Sequence, residues 1–123
     1  GKVITIFGLT YKGNVDDIRQ SPAIEIYNIL KQQGNYELRA YDPFVKLDWV
    51  IEDVEAALDN SDLILVLSDH HQFKVIEENY LSKMRNRVIF DTKNVIKVLP
   101  DNVEYINFGN LYKFVPKIDP IKL

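Results

Sequence analysis

Lys12 and Lys93 are the residues of this chain best placed to do chemistry. Each lies just past a short apolar run that reads as a strand, Val3-Ile4-Thr5-Ile6-Phe7 for the first and Arg87 to Phe90 for the second. If those strands are parallel, both ammonium groups stand on one rim of the sheet, an arrangement suited to a phosphate or pyrophosphate. The spacing is equally compatible with two solvated loop lysines. Between Gly8 and Pro22 runs a long polar loop, Gly8-Leu9-Thr10-Tyr11-Lys12-Gly13-Asn14-Val15-Asp16-Asp17-Ile18-Arg19-Gln20-Ser21-Pro22. A strand, a loop and a helix start is where α/β proteins hold nucleotides. This loop lacks G-x-G-x-x-G, so it is not the usual dinucleotide cradle. The Gly8-x4-Gly13 spacing is that of a phosphate loop, but Asn14-Val15 stand where Lys-Ser or Lys-Thr belong.

Other polar residues follow the strands. Arg19, beside Asp16 and Asp17, reads first as an ion pair bracing the loop and only second as a ligand contact. Asp42 either holds a ribose or, with no glycine fingerprint to support that, forms a turn ahead of Pro43. Ser68, Asp69 and His70 follow the third strand, and Thr92, Lys93 and Asn94 the fourth. Adjacent histidines cannot readily face one ion, so His70-His71 reads as hydrogen bonding or packing before metal or general-base chemistry. Tyr11 and Phe73 could flank a base, and core packing is the default for each. A phosphorylation receiver domain needs acidic residues ending the first strand and a lysine ending the fifth. Here Asp16-Asp17 come late in the loop and the fifth strand ends at Gly109.

The elements that must position these residues alternate along the chain. Ser21 and Pro22 are a good N-cap and first helical residue, and Gly34 a C-terminal stop. Glu37 to Tyr41 reads as a strand, Asp53 to Leu58 as a short helix, and Asn60-Ser61-Asp62 as the turn out of it. Leu63 to Leu67 is the best candidate for a central strand, Val75 to Met84 for a helix, and Val103 to Phe108 for a fifth strand. Strands alternating with helices imply an α/β fold: a three-layer, Rossmann-like domain with a mainly parallel sheet of five to six strands, the first strand near its centre. Residues 1–112 make one domain. In 113–123 Pro116 and Pro120 favour an extended strap over a helix.

Composition narrows the class further. A chain of 123 residues, 46% hydrophobic and 27% charged, suits one globular domain. The net charge of −3 predicts no nucleic-acid footprint. With no cysteine, disulfides, thiolate metal sites and a cysteine nucleophile are excluded. No apolar run approaches the roughly 18 residues of a membrane span. The start at Gly1, without methionine and directly on a strand pattern, suggests a piece of a longer protein.

The loop from Gly8 to Ala23 resembles the C-terminal domain of the UDP-glucose/GDP-mannose dehydrogenase family. Tyr41-Asp42-Pro43, Ser68-Asp69-His70-His71-Gln72-Phe73 and Phe90-Asp91-Thr92-Lys93-Asn94 agree with it in order and spacing, so the resemblance covers about residues 3 to 109. It implies an enzyme of two Rossmann-type domains joined by a long helix. The N-terminal domain binds NAD, and the C-terminal one holds the UDP part of a sugar nucleotide. The family oxidises the sugar's C6 alcohol to a carboxylate in two NAD-dependent steps, through a thiohemiacetal and a thioester on a cysteine. Carried over, Tyr11, Lys12 and Lys93 contact the substrate, Lys93 in place of the more usual arginine, while Asp16, Asp17 and Arg19 shape the loop. The cysteine and the NAD domain are expected upstream, so this chain binds no cofactor and is inactive alone. Gly13, where proline is common, and His70, where UDP-glucose members often carry tryptophan, resemble the branch oxidising UDP-N-acetylhexosamines, UDP-N-acetylmannosamine first. The resemblance also implies a cytoplasmic homodimer serving capsule or cell-wall polysaccharide synthesis. The alternatives are a non-catalytic nucleotide- or CoA-binding regulatory module and an interaction domain with no ligand.

Overall fold

A computed structural model of the chain describes residues 1–114. Six strands, β1 (Lys2–Phe7), β2 (Tyr36–Tyr41), β3 (Val50–Ile51), β4 (Leu63–Val66), β5 (Val88–Asp91) and β6 (Glu104–Ile106), form one sheet in the order β3-β2-β1-β4-β5-β6. Every pairing is parallel. The helices are α1 (Pro22–Gln33), α2 (Val54–Leu58) and α3 (Glu78–Leu81). The expected α/β, Rossmann-like sheet is therefore present, with β1 at its centre. The order reverses between β1 and β4, and their carboxyl ends define the switch point.

Alternating side chains of the sheet feed two cores, one on each face. Ile4 and Ile6 pack with Ala23 and Tyr27 of α1. Phe7, Ile64, Val66 and Ile89 pack on the other face with Leu58, Phe73, Ile76 and Leu81. The α1 side is unevenly covered: Leu63, Leu65, Val88 and Phe90 are only half-buried there. A hollow of about 460 Å³ opens over Ile4, Leu63 and Val88.

Three sequence expectations need correction. Val50–Ile51 is a strand that the pattern does not announce, added to the edge beside Ala40 and Tyr41. The expected helix from Val75 to Met84 shrinks to Glu78–Leu81. Before it, His71–Lys74 form a 3₁₀ turn and Val75 bridges to Val98, with the Ile76 N–H donating to the Val98 carbonyl at 3.0 Å. That pairing buries Ile76 beside Val95 and Ile96, and tertiary contact of this kind outweighs helix propensity. The fifth predicted strand stops at Ile106, where Asn107 and Asn110 bond each other's backbone N–H groups. Leu111–Lys113 then make a 3₁₀ turn; from residue 115 on, the expected strap lies outside the described residues.

At the end of the sheet away from the switch point, Asp62 clasps two segments. Its carboxylate accepts from the Arg85 guanidinium, the Val3 N–H at 2.8 Å and the Asn86 amide at 2.7 Å. Those donors, Arg85 foremost, hold its pKa well below the usual carboxylate range. A carboxylate whose pKa is depressed by folding stabilises the fold above its unfolded value of about 3.9, and that contribution is lost as acid protonates it. Urea unfolding should therefore show stability falling as pH drops below about 4, and Asp62→Asn should flatten that acid-side slope. An unchanged slope would show that the clasp contributes nothing.

Candidate functional site

The loop after β1 begins at Gly8, whose φ of 99° is left-handed. A Cβ there would overlap the side chain and N–H of Ser68, so glycine lets the loop cross the end of β4. Beyond it the loop is tied down residue by residue. The Leu9 N–H donates to Asp42 Oδ2 at 2.7 Å. The Thr10 N–H donates to Ser68 Oγ at 3.0 Å, and Ser68 Oγ donates to the Thr10 carbonyl at 2.8 Å. Ser21 stands at the N-cap position but makes no side-chain cap bond. Its hydroxyl donates instead to the Leu9 carbonyl at 2.7 Å, closing the loop on its own start.

Asp42 and His70 lie beneath. Asp42 Oδ1 accepts the Phe44 N–H at 2.8 Å, which makes the expected turn at Pro43. Its Oδ2 takes the Leu9 N–H and faces His70 Nε2 at 2.8 Å. His70 Nδ1 accepts the Asn14 N–H at 2.9 Å. A peptide N–H can only donate, so that ring nitrogen carries no proton and the ring is a neutral imidazole donating from Nε2. The buried pair is thus a hydrogen bond to a carboxylate rather than an ion pair. Thr10, Asp42, Ser68 and His70 are all buried.

Together they fill the switch-point crevice where a dinucleotide would lie. The residues present do not fit NAD: there is no glycine fingerprint, and the Asp42 carboxylate is already committed to His70, Leu9 and Phe44. Among the described residues no group of three or more His, Asp or Glu side chains could hold a metal ion.

Open hollows lie outward of this plug. Tyr11 and Lys12 line a hollow of about 510 Å³ with Val15, Asp17, Arg19 and Gln20. Tyr11 is 57% exposed, in place of the core packing that is the default for a lone aromatic. Arg19 closes on Asp17 with two 3.0 Å bonds, Nε to Oδ1 and Nη2 to Oδ2. Those bonds and the Arg19 N–H bring the Asp17 carboxyl down to about 2. Asp16 is exposed. Lys93 lines a second hollow of about 340 Å³ with Lys74, Lys97, Asn14, Asp69 and His71 among its walls. Both lysines follow carboxyl ends of parallel strands, and each opens into its own hollow. Phe73 is buried against Phe7 and His70, so it flanks no ligand.

Two supporting residues lie within the motif segments but have no role that the sequence assigns. Asp91 is buried; its Oδ1 accepts the Lys93 N–H at 3.1 Å, and its Oδ2 accepts the Ile96 N–H and the Tyr105 hydroxyl, both at 2.9 Å. It therefore shapes the turn that carries Lys93. Asn14 joins the two hollows' loops, its Oδ1 accepting the His71 N–H at 2.8 Å.

Known proteins share this architecture. The UDP-N-acetyl-mannosamine dehydrogenase Cap5O of Staphylococcus aureus superposes with a TM-score of 0.90 at 49% identity, over 94% of this chain and 28% of that one. The UDP-N-acetyl-D-mannosamine dehydrogenase of Methanocaldococcus jannaschii is 38% identical over 102 residues, 78% of this chain and 23% of its own length. An NDP-N-acetyl-D-galactosaminuronic acid dehydrogenase of Ralstonia nicotianae is 36% identical over 99 residues, 76% of this chain and 23% of its own. The chain thus spans about a quarter of the length of the relatives it matches. The family model of the UDP-glucose/GDP-mannose dehydrogenase family, UDP binding domain, matches residues 5–98. With the closed crevice and the cation-lined rim already in place, the chain belongs to that family, as its UDP binding domain.

Proposed function

We propose that this chain is the nucleotide-holding part of an NAD-dependent nucleotide-sugar 6-dehydrogenase, with UDP-N-acetylmannosamine as the sugar nucleotide oxidised to its uronate. The observation that carries the reading is the family-matched rim itself. An aromatic–lysine pair, Tyr11-Lys12, and a lysine-lined hollow around Lys93 stand outside the carboxyl ends of β1 and β5. Tyr11 packs on the nucleotide, and Lys12 and Lys93 neutralise its diphosphate. Asp16, Asp17 and Arg19 shape the loop, Arg19 through its pair with Asp17. The domain is taken as residues 1–112 with 113–123 as its tail.

The catalytic cysteine and the NAD site belong to other parts of the enzyme, since this chain has no cysteine and its crevice is closed. The half-covered face at Leu63, Leu65, Val88 and Phe90 supports packing against the NAD-binding domain of the same enzyme, because parallel sheets are normally covered on both faces. The whole enzyme is taken as a cytoplasmic homodimer whose product enters capsule-type polysaccharide synthesis. Among the described residues no helix is long and apolar enough to cross a membrane.

Calorimetry with UDP, UDP-N-acetylmannosamine, UDP-N-acetylgalactosamine, CoA and NAD tests this. UDP should bind, and Lys12→Ala should weaken it by about tenfold or more, as expected for losing a charge-assisted contact of about 1.5–3 kcal/mol. NAD or CoA binding more tightly than UDP, or full affinity in Lys12→Ala, would overturn the reading. A preference for the galacto sugar would move only the identity of the hexosamine.

A further inference from the structure

Asn14 lies in the same loop as Tyr11 and Lys12, walls of the first hollow, and itself lines the second with Lys93. Its φ of 62° is left-handed, a region asparagine enters more readily than most residues, and its neighbours hold it there. Two bonds do so: the N–H to His70 Nδ1 and the side-chain Oδ1 from the His71 N–H. Gly13 lets the loop lie down beside them, because a Cβ there would overlap the Asp69 carbonyl.

His70 is the fixed end of this arrangement. Its ring is 0% exposed, held between Phe44 and Phe73 at centroid distances of 4.7 and 5.2 Å. The Thr10 hydroxyl lies 3.4 Å from Nε2, beside Asp42. The ring reaches no ligand. Its two nitrogens do opposite work, Nε2 giving its proton to β2's exit turn and Nδ1 receiving the loop's N–H.

We propose that His70, as the Nε2–H tautomer, is a positioning residue for the nucleotide sugar. Its Nδ1 lone pair sets Asn14 and so holds the Tyr11–Lys12 hollow and the Lys93 hollow in the fixed relation that one diphosphate ligand needs. This rests on the UDP-sugar reading above and goes beyond it by assigning the coupling to one atom.

Two variants separate the halves of the ring. In His70→Asn the side-chain oxygen stands near the place of Nδ1 and keeps the Asn14 bond while the Asp42 bond is lost. In His70→Gln the amide nitrogen reaches Asp42 and the Asn14 bond is lost. Both lose the contacts with Phe44 and Phe73, so the difference between them sets the Asn14 bond against the Asp42 bond. UDP titration should find His70→Asn within about twofold of the unmodified chain and His70→Gln weaker by about tenfold. Equal losses overturn the proposal. A second measurement needs no variant: long-range ¹H–¹⁵N spectra of the unmodified chain should place the His70 proton on Nε2, with the Asn14 amide protected from exchange. A proton on Nδ1, or a freely exchanging Asn14 amide, overturns it as well. If the unmodified chain binds no UDP, the UDP-sugar reading fails and takes this role with it. If it binds and both variants behave alike, only the role of His70 fails.

Discussion

Asp42→Ala should lower the unfolding free energy of this chain by about 3–5 kcal/mol, read as a shift of the urea midpoint with little change in slope. Three donors lose their acceptor at once: the buried Leu9 N–H and His70 Nε2–H, and the half-buried Phe44 N–H. Each unsatisfied donor costs about 1–3 kcal/mol, and a water admitted to the gap recovers part of the total. His70 cannot escape by moving its proton to Nδ1, because that would set it against the Asn14 N–H. Asp42→Asn should cost less, about 2 kcal/mol, since one amide oxygen can still accept. A loss below about 1 kcal/mol in the alanine variant would show that the network is incidental to the fold.

Gly8→Ala should be comparably severe, at about 4 kcal/mol, from two sources. A left-handed non-glycine residue costs about 1–2 kcal/mol, and forcing a methyl into a packed site adds about 1–3 kcal/mol. The added Cβ would meet the Ser68 N–H and the Ser68 side chain, whose hydroxyl is bonded to Thr10, so UDP affinity should fall with stability. Gly34 offers the control. Its φ of 70° has the same sign, yet nothing lies within 4 Å of a Cβ built there. Gly34→Ala should therefore lose only the conformational part, about 1–2 kcal/mol. Equal losses at the two glycines would mean that the contact with Ser68 is unimportant.

The elements legible in the sequence are those whose signals are local. Val3 to Phe7 and Leu63 to Leu67 are apolar runs that only a doubly covered strand needs, and both became central strands. The start and stop of α1 rest on Pro22 and Gly34, which act within one turn. What escaped depends on distant partners. Val50–Ile51 is too short to show a period, and the 3₁₀ turn and bridge before α3 exist because Val98 and Ile96 come back to meet Val75 and Ile76. The same division runs through the site. Tyr11, Lys12 and Lys93 are exposed and chemically conspicuous, whereas Thr10, Ser68 and His70 look like ordinary loop residues. Ser68 meets Thr10 across 58 positions and His70 meets Asp42 across 28. A hint was present, since Asp42 and His70 both follow strands that flank β1, but their pairing is visible only in three dimensions.

Anchoring of the Gly8–Pro22 loop from beneath has a thermodynamic consequence for whatever binds above it. Its backbone is already held at Leu9, Thr10 and Asn14 by Asp42, Ser21, Ser68 and His70, so a ligand need not order that stretch on arrival. The entropy cost there falls on exposed side chains such as Tyr11 and Lys12, about 0.5–1.5 kcal/mol for each one immobilised. Association should then resemble docking to a rigid surface, with little heat-capacity change beyond that of the area covered. Differences between sugar nucleotides should be felt in how long each stays rather than in how fast it arrives.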